Sequence, residues 1–368
     1  MKLCCLFNYN PLYRFPIYKA ISVGFDSDFY FGDTVFEPLK QFDEKLLNGF
    51  KKYMKAKKIM GGKYIWFEGV SSVFKREYTH YIVTGSPSYI ANWMIIVYAK
   101  LFGKKVYTWG HGPTSKIITK KSRFLTRLFY KGLTGIFLYN NHSRQFLEEV
   151  GIDSDKIHII YNSLDSDLQT KYYNSQPQSD IYRKHFCNNY PTVIYIGRIQ
   201  KRKKLDQLVN AVHKLKGKGC ILNLVIVGAS TDDDTISKLV DSLGINNQVW
   251  FYGPSFNEET NAELLYNADV CVSPGNVGLT CIHSLSYGTP VITNDNFETQ
   301  MPEYEAIIDG VTGSFFKEND IEDLMAKIQE WVSLPIERRD SIRCVARETI
   351  EKNWSVAAQM KTLKASLF

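Results

Sequence analysis

Apolar residues gather in short runs separated by longer amphipathic stretches, and the two patterns alternate along the whole chain. Residues 3–8, 64–67, 80–84, 105–109, 135–139 and 157–161 read as strands of a first series. A second series follows near 192–196, 221–227, 248–251, 269–272 and 290–293. Helical spacing of apolar positions falls near 89–102, 116–131, 205–216, 233–243, 258–267, 279–287 and 320–333, and again over 336–365. Residues 38–58 form a polar, lysine-rich stretch predicted as helical. Strands alternating with helices predict parallel βαβ units of the α/β class. Two such series predict two Rossmann-like domains facing an interdomain cleft. The first domain is expected over 1–165, a polar, weakly patterned linker over 166–190 and the second domain over 191–345. A terminal helix over 346–368 is expected to pack back onto the first domain.

Charge is unevenly placed. The chain of 368 residues carries a net charge of +7, but residues 1–165 hold 24 Lys and Arg against 13 Asp and Glu. The remainder holds 21 against 25, so only the first half is expected to meet an anionic partner. No helix-turn-helix, zinc-finger or RNA-binding signature accompanies that charge, so nucleic acid is not the partner expected. Aromatic residues make up 14% of the chain, which suits surfaces that stack bases or sugar rings and suits an aromatic core equally. Seven cysteines are scattered without a Cys-x-x-Cys pair, which argues against a disulfide framework or a zinc site and for a reducing compartment. Residues 1–8 read as a buried strand rather than a signal peptide, and no apolar run reaches the ~18 residues of a membrane span. A cytoplasmic protein follows as the expectation.

The chemistry concentrates in the second half. The strand ending at Ile196 runs into Gly197 and the basic residues Arg198, Lys201, Arg202, Lys203 and Lys204, which places a cationic loop at the carboxyl edge of a sheet. Further along, Asn276, Val277, Gly278, Leu279 and Thr280 open a helix, where free backbone N–H groups and the helix dipole favour an anion. Two such elements in one α/β domain suit a diphosphate better than a single phosphate. A solvated basic turn is the plainer alternative for Arg198 to Lys204.

These residues resemble the carboxyl-terminal domain of family 4 glycosyltransferases, which are retaining enzymes with the GT-B fold. The family's Gly-Arg-x-x-x-x-Lys element matches Gly197, Arg198 and Lys203, and the resemblance implies that this Arg and Lys grip the donor diphosphate. A planar fork of guanidinium donors and a compact ammonium would together offset charge growing on a departing nucleotide. The family's second pattern is matched in register by Gly278-Leu279 and Gly288-Thr-Pro-Val-Ile292. Its two glutamates, however, fall on Gly275 and His283. In the family the first contacts the donor sugar and the second holds the ribose hydroxyls. Replacement at Gly275 implies a different donor sugar, another residue in that role, or a weakened enzyme. His283 can offer one hydrogen bond to ribose, or be a satisfied core histidine. A later family glutamate aligns with Glu305, with Glu303 close enough to compete, and Gly228 and Phe251 match positions lining the base and ribose side. The resemblance is densest over about residues 190–330.

In the first domain Trp109-Gly-His-Gly112 follows a strand and resembles the family loop whose histidine approaches the donor sugar, so His111 joins Arg198 and Lys203 as a catalytic candidate. Glycines on both sides allow close backbone approach to a ligand. The resemblance implies same-face attack with the leaving phosphate taking the acceptor proton, hence no nucleophilic carboxylate; the sequence gives no Asp-x-Asp metal signature in the right context, so no metal and no cofactor are expected. Asp232-Asp-Asp234 reads as a helix start. Lys116, Lys120, Arg123 and Arg127 recur on one stripe of the helix expected over 116–131, beside Ile117, Ile118, Phe124, Leu125, Leu128 and Phe129. Basic beside apolar is the pattern of a helix resting on an anionic bilayer, at the inner face of the membrane, or contacting the acceptor; an ordinary surface helix is the alternative. Together these expectations describe a glycosyltransferase moving a sugar from a nucleoside diphosphate sugar to a glycan or lipid-linked acceptor, in the synthesis of capsule, O-antigen or exopolysaccharide. A nucleotide-binding partner without turnover and a nucleotide-sugar epimerase on the same fold are the alternatives.

Overall fold

A computed structural model describes residues 1–33, 40–113, 119–175, 178–230 and 234–368 of the chain. They form two compact units, Met1–Leu164 with Ser355–Phe368, and Asp165–Trp354.

Unit 1 begins with β1 (Lys2–Phe7), α1 (Phe15–Gly24), β2 (Asp26–Gly32), β3 (Phe50–Met54) and the hairpin β4 (Ala56–Ile59) and β5 (Tyr64–Phe67). It continues with β6 (His80–Thr84), α2 (Ile90–Leu101), β7 (Lys105–Gly110), α3 (Lys120–Lys131), β8 (Gly135–Leu138), α4 (Asn141–Glu149) and β9 (Ile157–Ile159). Seven strands pair in the order β3-β2-β1-β6-β7-β8-β9, all parallel, and β4 pairs antiparallel with β5. The central strands β1 and β6 are buried over most of their length, as expected of parallel strands covered on both faces.

Unit 2 opens with α5 (Ser166–Asn174) and α6 (Ile181–Phe186), then β10 (Thr192–Ile196), α7 (Leu205–Gly217), β11 (Asn223–Val227), α8 (Thr235–Ser242) and β12 (Val249–Gly253). After these come α9 (Glu258–Asn267), β13 (Val270–Ser273), α10 (Leu279–Ser286), β14 (Val291–Asn294), β15 (Gly313–Phe316), α11 (Ile321–Val332) and α12 (Ile336–Asn353). The sheet order is β12-β11-β10-β13-β14-β15, again all parallel. Chain order reverses between β10 and β13, and in unit 1 between β1 and β6. The carboxyl ends of such strand pairs are where open α/β sheets bind ligands.

The chain returns to unit 1 as α13 (Val356–Leu367). Ser355 caps it, its hydroxyl accepting from the Ala358 amide at 3.1 Å. Gln359 accepts from the Ser163 hydroxyl at 2.7 Å and donates to the Tyr161 carbonyl at 2.8 Å, while Leu363 and Leu367 are buried.

Several expectations need correcting. Residues 38–58 are not helical: a single turn at Glu44–Leu46 precedes β3, and β4 begins within that span. The lysines misled because this polar, largely exposed segment makes the short edge strand β3 and the start of a hairpin rather than an amphipathic helix. The stretch 166–190 is no linker, since α5 and α6 occupy most of it and belong to unit 2. The chain changes unit between Trp354 and Ser355, inside the span expected as one helix. Strands β2 and β15 and helices α1 and α4 were not foreseen. The polar start of β2 hides it, because Asp28 is buried but satisfied, accepting from the Tyr78 hydroxyl at 2.6 Å and pairing with Lys51 at 3.2 Å.

Candidate functional site

The loops after β10 and β13 flank the switch point of unit 2, and their backbones are locked together. β10 is followed by Gly197, whose φ of 151° lies in a region favouring glycine. Its amide donates to the Val227 carbonyl at 2.9 Å, and a Cβ added to Gly228 would strike the Gly197 carbonyl oxygen. Gly228 is therefore a steric requirement of this crossing. The Tyr195 hydroxyl donates to the Arg198 carbonyl at 2.7 Å, so the half-buried Arg198 stands on a fixed backbone. Lys201–Lys203 then make one tight turn, and Lys204, left-handed at φ 51°, leads into α7. The Lys204 ammonium is engaged by Glu318 at 2.6 Å and Asn319 at 2.9 Å, which assigns it to structure rather than ligand.

That turn rests on the second loop. The Gly275 amide donates to the Lys203 carbonyl at 2.9 Å, and the Lys203 ammonium donates to the Asn276 carbonyl. A Cβ at position 275 would collide with the Arg202 carbonyl and lie 2.6 Å from the Lys203 Cα. The absence of a glutamate there has a physical reason: the basic turn fills the space a side chain would need. Gly278, the N-cap of α10, has φ 58° and ψ −150°, a conformation reserved for glycine. The Thr280 hydroxyl donates to the Ile196 carbonyl at 2.7 Å and ties α10 to β10. One expectation fails in part, because the Val277 amide donates to Gln300 Oε1 at 2.8 Å and its side chain is buried. Gln300 also donates to Thr293 Oγ1 at 2.9 Å, so it holds the loop from below. Asn276, Gly278, Leu279 and Thr280 remain as the amides at the helix start.

Lower on α10, His283 Nε2 lies 3.0 Å from Glu258 Oε1, which also accepts from the Tyr287 hydroxyl at 2.7 Å. Burial acts to raise the Glu258 carboxyl. The neighbouring His283 and the hydrogen bonds from His283, Tyr287 and Gln169 outweigh it and hold that carboxyl below its usual range. The His283 and Glu258 side chains are 14% and 20% exposed, so the pair reaches solvent. A carboxylate therefore stands beside α10 after all, brought by α9. Sequence reasoning missed Glu258 because Asn257-Glu258-Glu259 reads as a helix start, and Asn257 does cap α9, accepting from the Thr260 amide at 3.0 Å. Gln169, from α5, completes the cluster.

Of the two glutamates competing for the later role, Glu303 is buried and Glu305 is half-buried. Phe251 is 40% exposed on the edge strand β12. Asp232 and Asp233 lie outside the described residues; Asp234 is the N-cap of α8, with no side-chain cap bond. Among the described residues no cluster of three His, Cys, Asp or Glu side chains could hold a metal ion.

In unit 1, His111 follows β7, with Gly112 at φ 73° beside it. Burial, and then the positive charge of Arg14, lower His111 to about 4, so it is neutral near pH 7. Its ring lies edge-on to Tyr139 at 4.9 Å. Helix α3 starts at Lys120, capped by Thr119, and Lys116, Ile117 and Ile118 lie outside the described residues. Two members of the basic stripe turn towards the end of α4: Arg123 donates to the Glu149 carbonyl at 2.7 Å, and the Arg127 guanidinium lies against Gly151. Phe124 and Leu128 are 65% and 51% exposed, whereas Phe129 is buried. No helix among the described residues is long and apolar enough to cross a membrane.

Comparison with known proteins gives this geometry a context. Residues 178–349 match the family model described as glycosyl transferases group 1. An uncharacterized 41.2 kDa protein in the cps region of Klebsiella pneumoniae is 25% identical over 246 residues, 61% of this chain and 63% of that protein. A D-inositol 3-phosphate glycosyltransferase of Mycolicibacterium smegmatis is 28% identical over 201 residues, 51% of this chain and 42% of that one. In both cases the chain spans less than two thirds of the relative's own length. The crystal structure of HepE from Anabaena in complex with UDP superposes with a TM-score of 0.75 at 14% identity, covering 100% of this chain and 99% of that one. The fold is GT-B.

Gly275→Ala is expected to force the basic turn off its seat and to cost about 1–3 kcal/mol, read as a lower denaturant midpoint. An unchanged midpoint would show that the turn yields freely. For His111 the depressed value means that the unfolded chain binds the proton more readily, so stability is full above pH ~6.5 and falls towards pH ~4. Over that window His111→Gln should flatten the loss measured by denaturant titration; an identical slope in the variant would remove His111 as its source.

Proposed function

We propose, from the premise that residues 178–349 belong to the group 1 glycosyl transferases, that this protein moves a sugar from a nucleoside diphosphate sugar to a glycan or lipid-linked acceptor. One observation carries the reading: the basic turn that follows Arg198 packs on the loop before α10 at the β10–β13 switch point, with the Lys203 ammonium on the Asn276 carbonyl at the glycine-started helix N-terminus. Arg198, Lys203 and the amides of Gly278, Leu279 and Thr280 would hold the diphosphate. Lys203 already lies on the carbonyl of Asn276, at the mouth of that helix, so a phosphate would replace a neutral acceptor with a charged one.

In the reaction the bond between the anomeric carbon and the phosphate oxygen breaks, and the acceptor oxygen attacks from the same face. The acceptor proton passes to the departing phosphate. The residues do no covalent chemistry; they stabilise charge as it gathers on the leaving group. His283, oriented by Glu258, is suited to a ribose hydroxyl, since a histidine whose nitrogen is fixed by a carboxylate presents a defined partner. The Klebsiella relative from a cps region and the UDP bound by HepE support surface polysaccharide synthesis and a uridine nucleotide. Lys120 and Lys131 beside the exposed Phe124 and Leu128 support a peripheral contact with an anionic membrane. The closed space at Gly275 favours a second reading, a nucleotide-binding partner without turnover, because no side chain there can reach a sugar.

The test is turnover and nucleotide affinity in parallel, with UDP-, GDP- and ADP-hexoses. Arg198→Ala with Lys203→Ala should lower the rate by about 10²–10³-fold and weaken nucleoside diphosphate binding; rates near the parent's reject the assignment. Binding without turnover in the parent, across these donors and a panel of acceptors, decides for the second reading. Lys120→Gln, Lys131→Gln and Phe124→Ser together should release the protein from phosphatidylglycerol liposomes at low salt. A parent that never sediments with such liposomes ends the membrane proposal.

A further inference from the structure

Unit 1 has a switch point of its own, between β1 and β6, and a cavity of about 130 Å³ opens beside it at the strands' carboxyl ends. Tyr9, Tyr13, Arg14, Trp109, His111 and Tyr139 are among its walls. The guanidinium of Arg14 lies over the rings of Trp109 and Tyr139, 5.5 and 5.1 Å from their centroids. Its polar partners are hydroxyls, that of Tyr18, accepting at 3.5 Å, and that of Tyr13. Among the described residues no carboxylate forms an ion pair with it, so aromatic faces and neutral hydroxyls surround a desolvated cation. Such an arrangement is costly unless an anion joins it.

A second observation points the same way. Trp109 and Tyr139 are 2% and 1% exposed, yet the Trp109 indole N–H and the Tyr139 hydroxyl are buried polar groups without a hydrogen-bond partner. Native structures rarely leave such groups unpaired. The indole can only donate, and the phenol donates readily. A guanidinium without a counter-charge, the two residues that carry orphaned donors and His111 therefore line one small cavity: the donors lack an acceptor atom and the cation lacks a negative charge.

We infer that this cavity receives an oxyanion of the acceptor, a carboxylate or a phosphate, with Arg14 as its forked partner and Trp109 and Tyr139 as flanking donors. The inference rests on the glycosyltransferase reading for the word acceptor, but the oxyanion site stands on unit 1 alone. A carboxylate would mark an acidic sugar on the growing glycan, and a phosphate a phosphorylated lipid or sugar. A neutral glycan could satisfy the two donors through its hydroxyl oxygens but would leave the cation without a counter-charge.

The experiment uses the full chain and small probes: methyl β-glucuronide, its neutral counterpart methyl β-glucoside, and glycerol phosphate. Binding is followed by ligand-observed NMR, with UDP titrated by calorimetry in the same preparations. At least one anion should bind about tenfold more tightly than methyl β-glucoside, as expected for a bidentate, charge-assisted contact. Arg14→Gln should abolish that preference, Arg14→Lys should lose about fivefold, and Tyr139→Phe, which removes only a hydroxyl, about threefold. UDP affinity should stay unchanged in all three. Preference for the glucuronide identifies an acidic sugar, preference for glycerol phosphate a phosphate. Anions binding no better than methyl β-glucoside, or equally well to Arg14→Gln, would overturn the inference. Should Arg14→Gln fail to fold, the lysine and phenylalanine variants carry the test. Loss of UDP binding in the parent, with the anion preference intact, would sink the transferase reading and leave the site.

Discussion

The contact between the turn Lys201–Lys203 and Gly275 is the constraint on which unit 2 depends. One backbone hydrogen bond, from the Gly275 amide to the Lys203 carbonyl at 2.9 Å, joins loops more than seventy residues apart in sequence. It is possible only because position 275 carries no side chain. The same logic holds where Gly197 crosses Gly228. With both crossings in place, the backbone of Arg198 and the Lys203 side chain are fixed beside the start of α10. Preorganisation of this kind is what lets fixed charges stabilise a transition state without reorganising at the moment of reaction.

The Gly275 contact also reframes the missing glutamates. At position 275 the loss is built into the backbone, and restoring the acid would require the basic turn to move. At position 283 a histidine stands where the resemblance places an acid. Glu258 brings a carboxylate from α9 to the imidazole on α10, so the surface offered is a histidine held by an acid instead of an acid alone. Two elements outside the sheet, α5 and α9, thereby enter the description of the site. Unit 1 shows the complementary case, a half-buried cation held by rings and hydroxyls at its own switch point. Its basic bias, 24 Lys and Arg against 13 Asp and Glu over residues 1–165, agrees with an anionic ligand on that side.

What could be read in advance follows from burial. β10, with five buried residues in five, announces itself as an apolar run, and so do β6 and β11. β2 and β3 did not, because Asp28 and the lysines of 50–54 are paid for by partners that only the fold supplies. Gly197, Arg198, Lys203 and Gly278 were readable because their positions form one local string or mark one helix start. Glu258, Gln169 and Gln300 were not, since each acts through a neighbour far along the chain. Arg14 carried no signal at all in a loop of mixed residues. Its meaning comes from Trp109 and Tyr139, which reach it through strand pairing.

The central claim is that the two crossed loops of unit 2 form a diphosphate cradle. A crystal structure of the protein grown with UDP tests it directly. Phosphate oxygens should lie within hydrogen-bond distance of the Arg198 guanidinium, the Lys203 ammonium and at least one amide among Gly278, Leu279 and Thr280, with Lys203 drawn off the Asn276 carbonyl. UDP bound elsewhere on the protein, or with its phosphates in solvent while Lys203 still holds that carbonyl, would contradict the account.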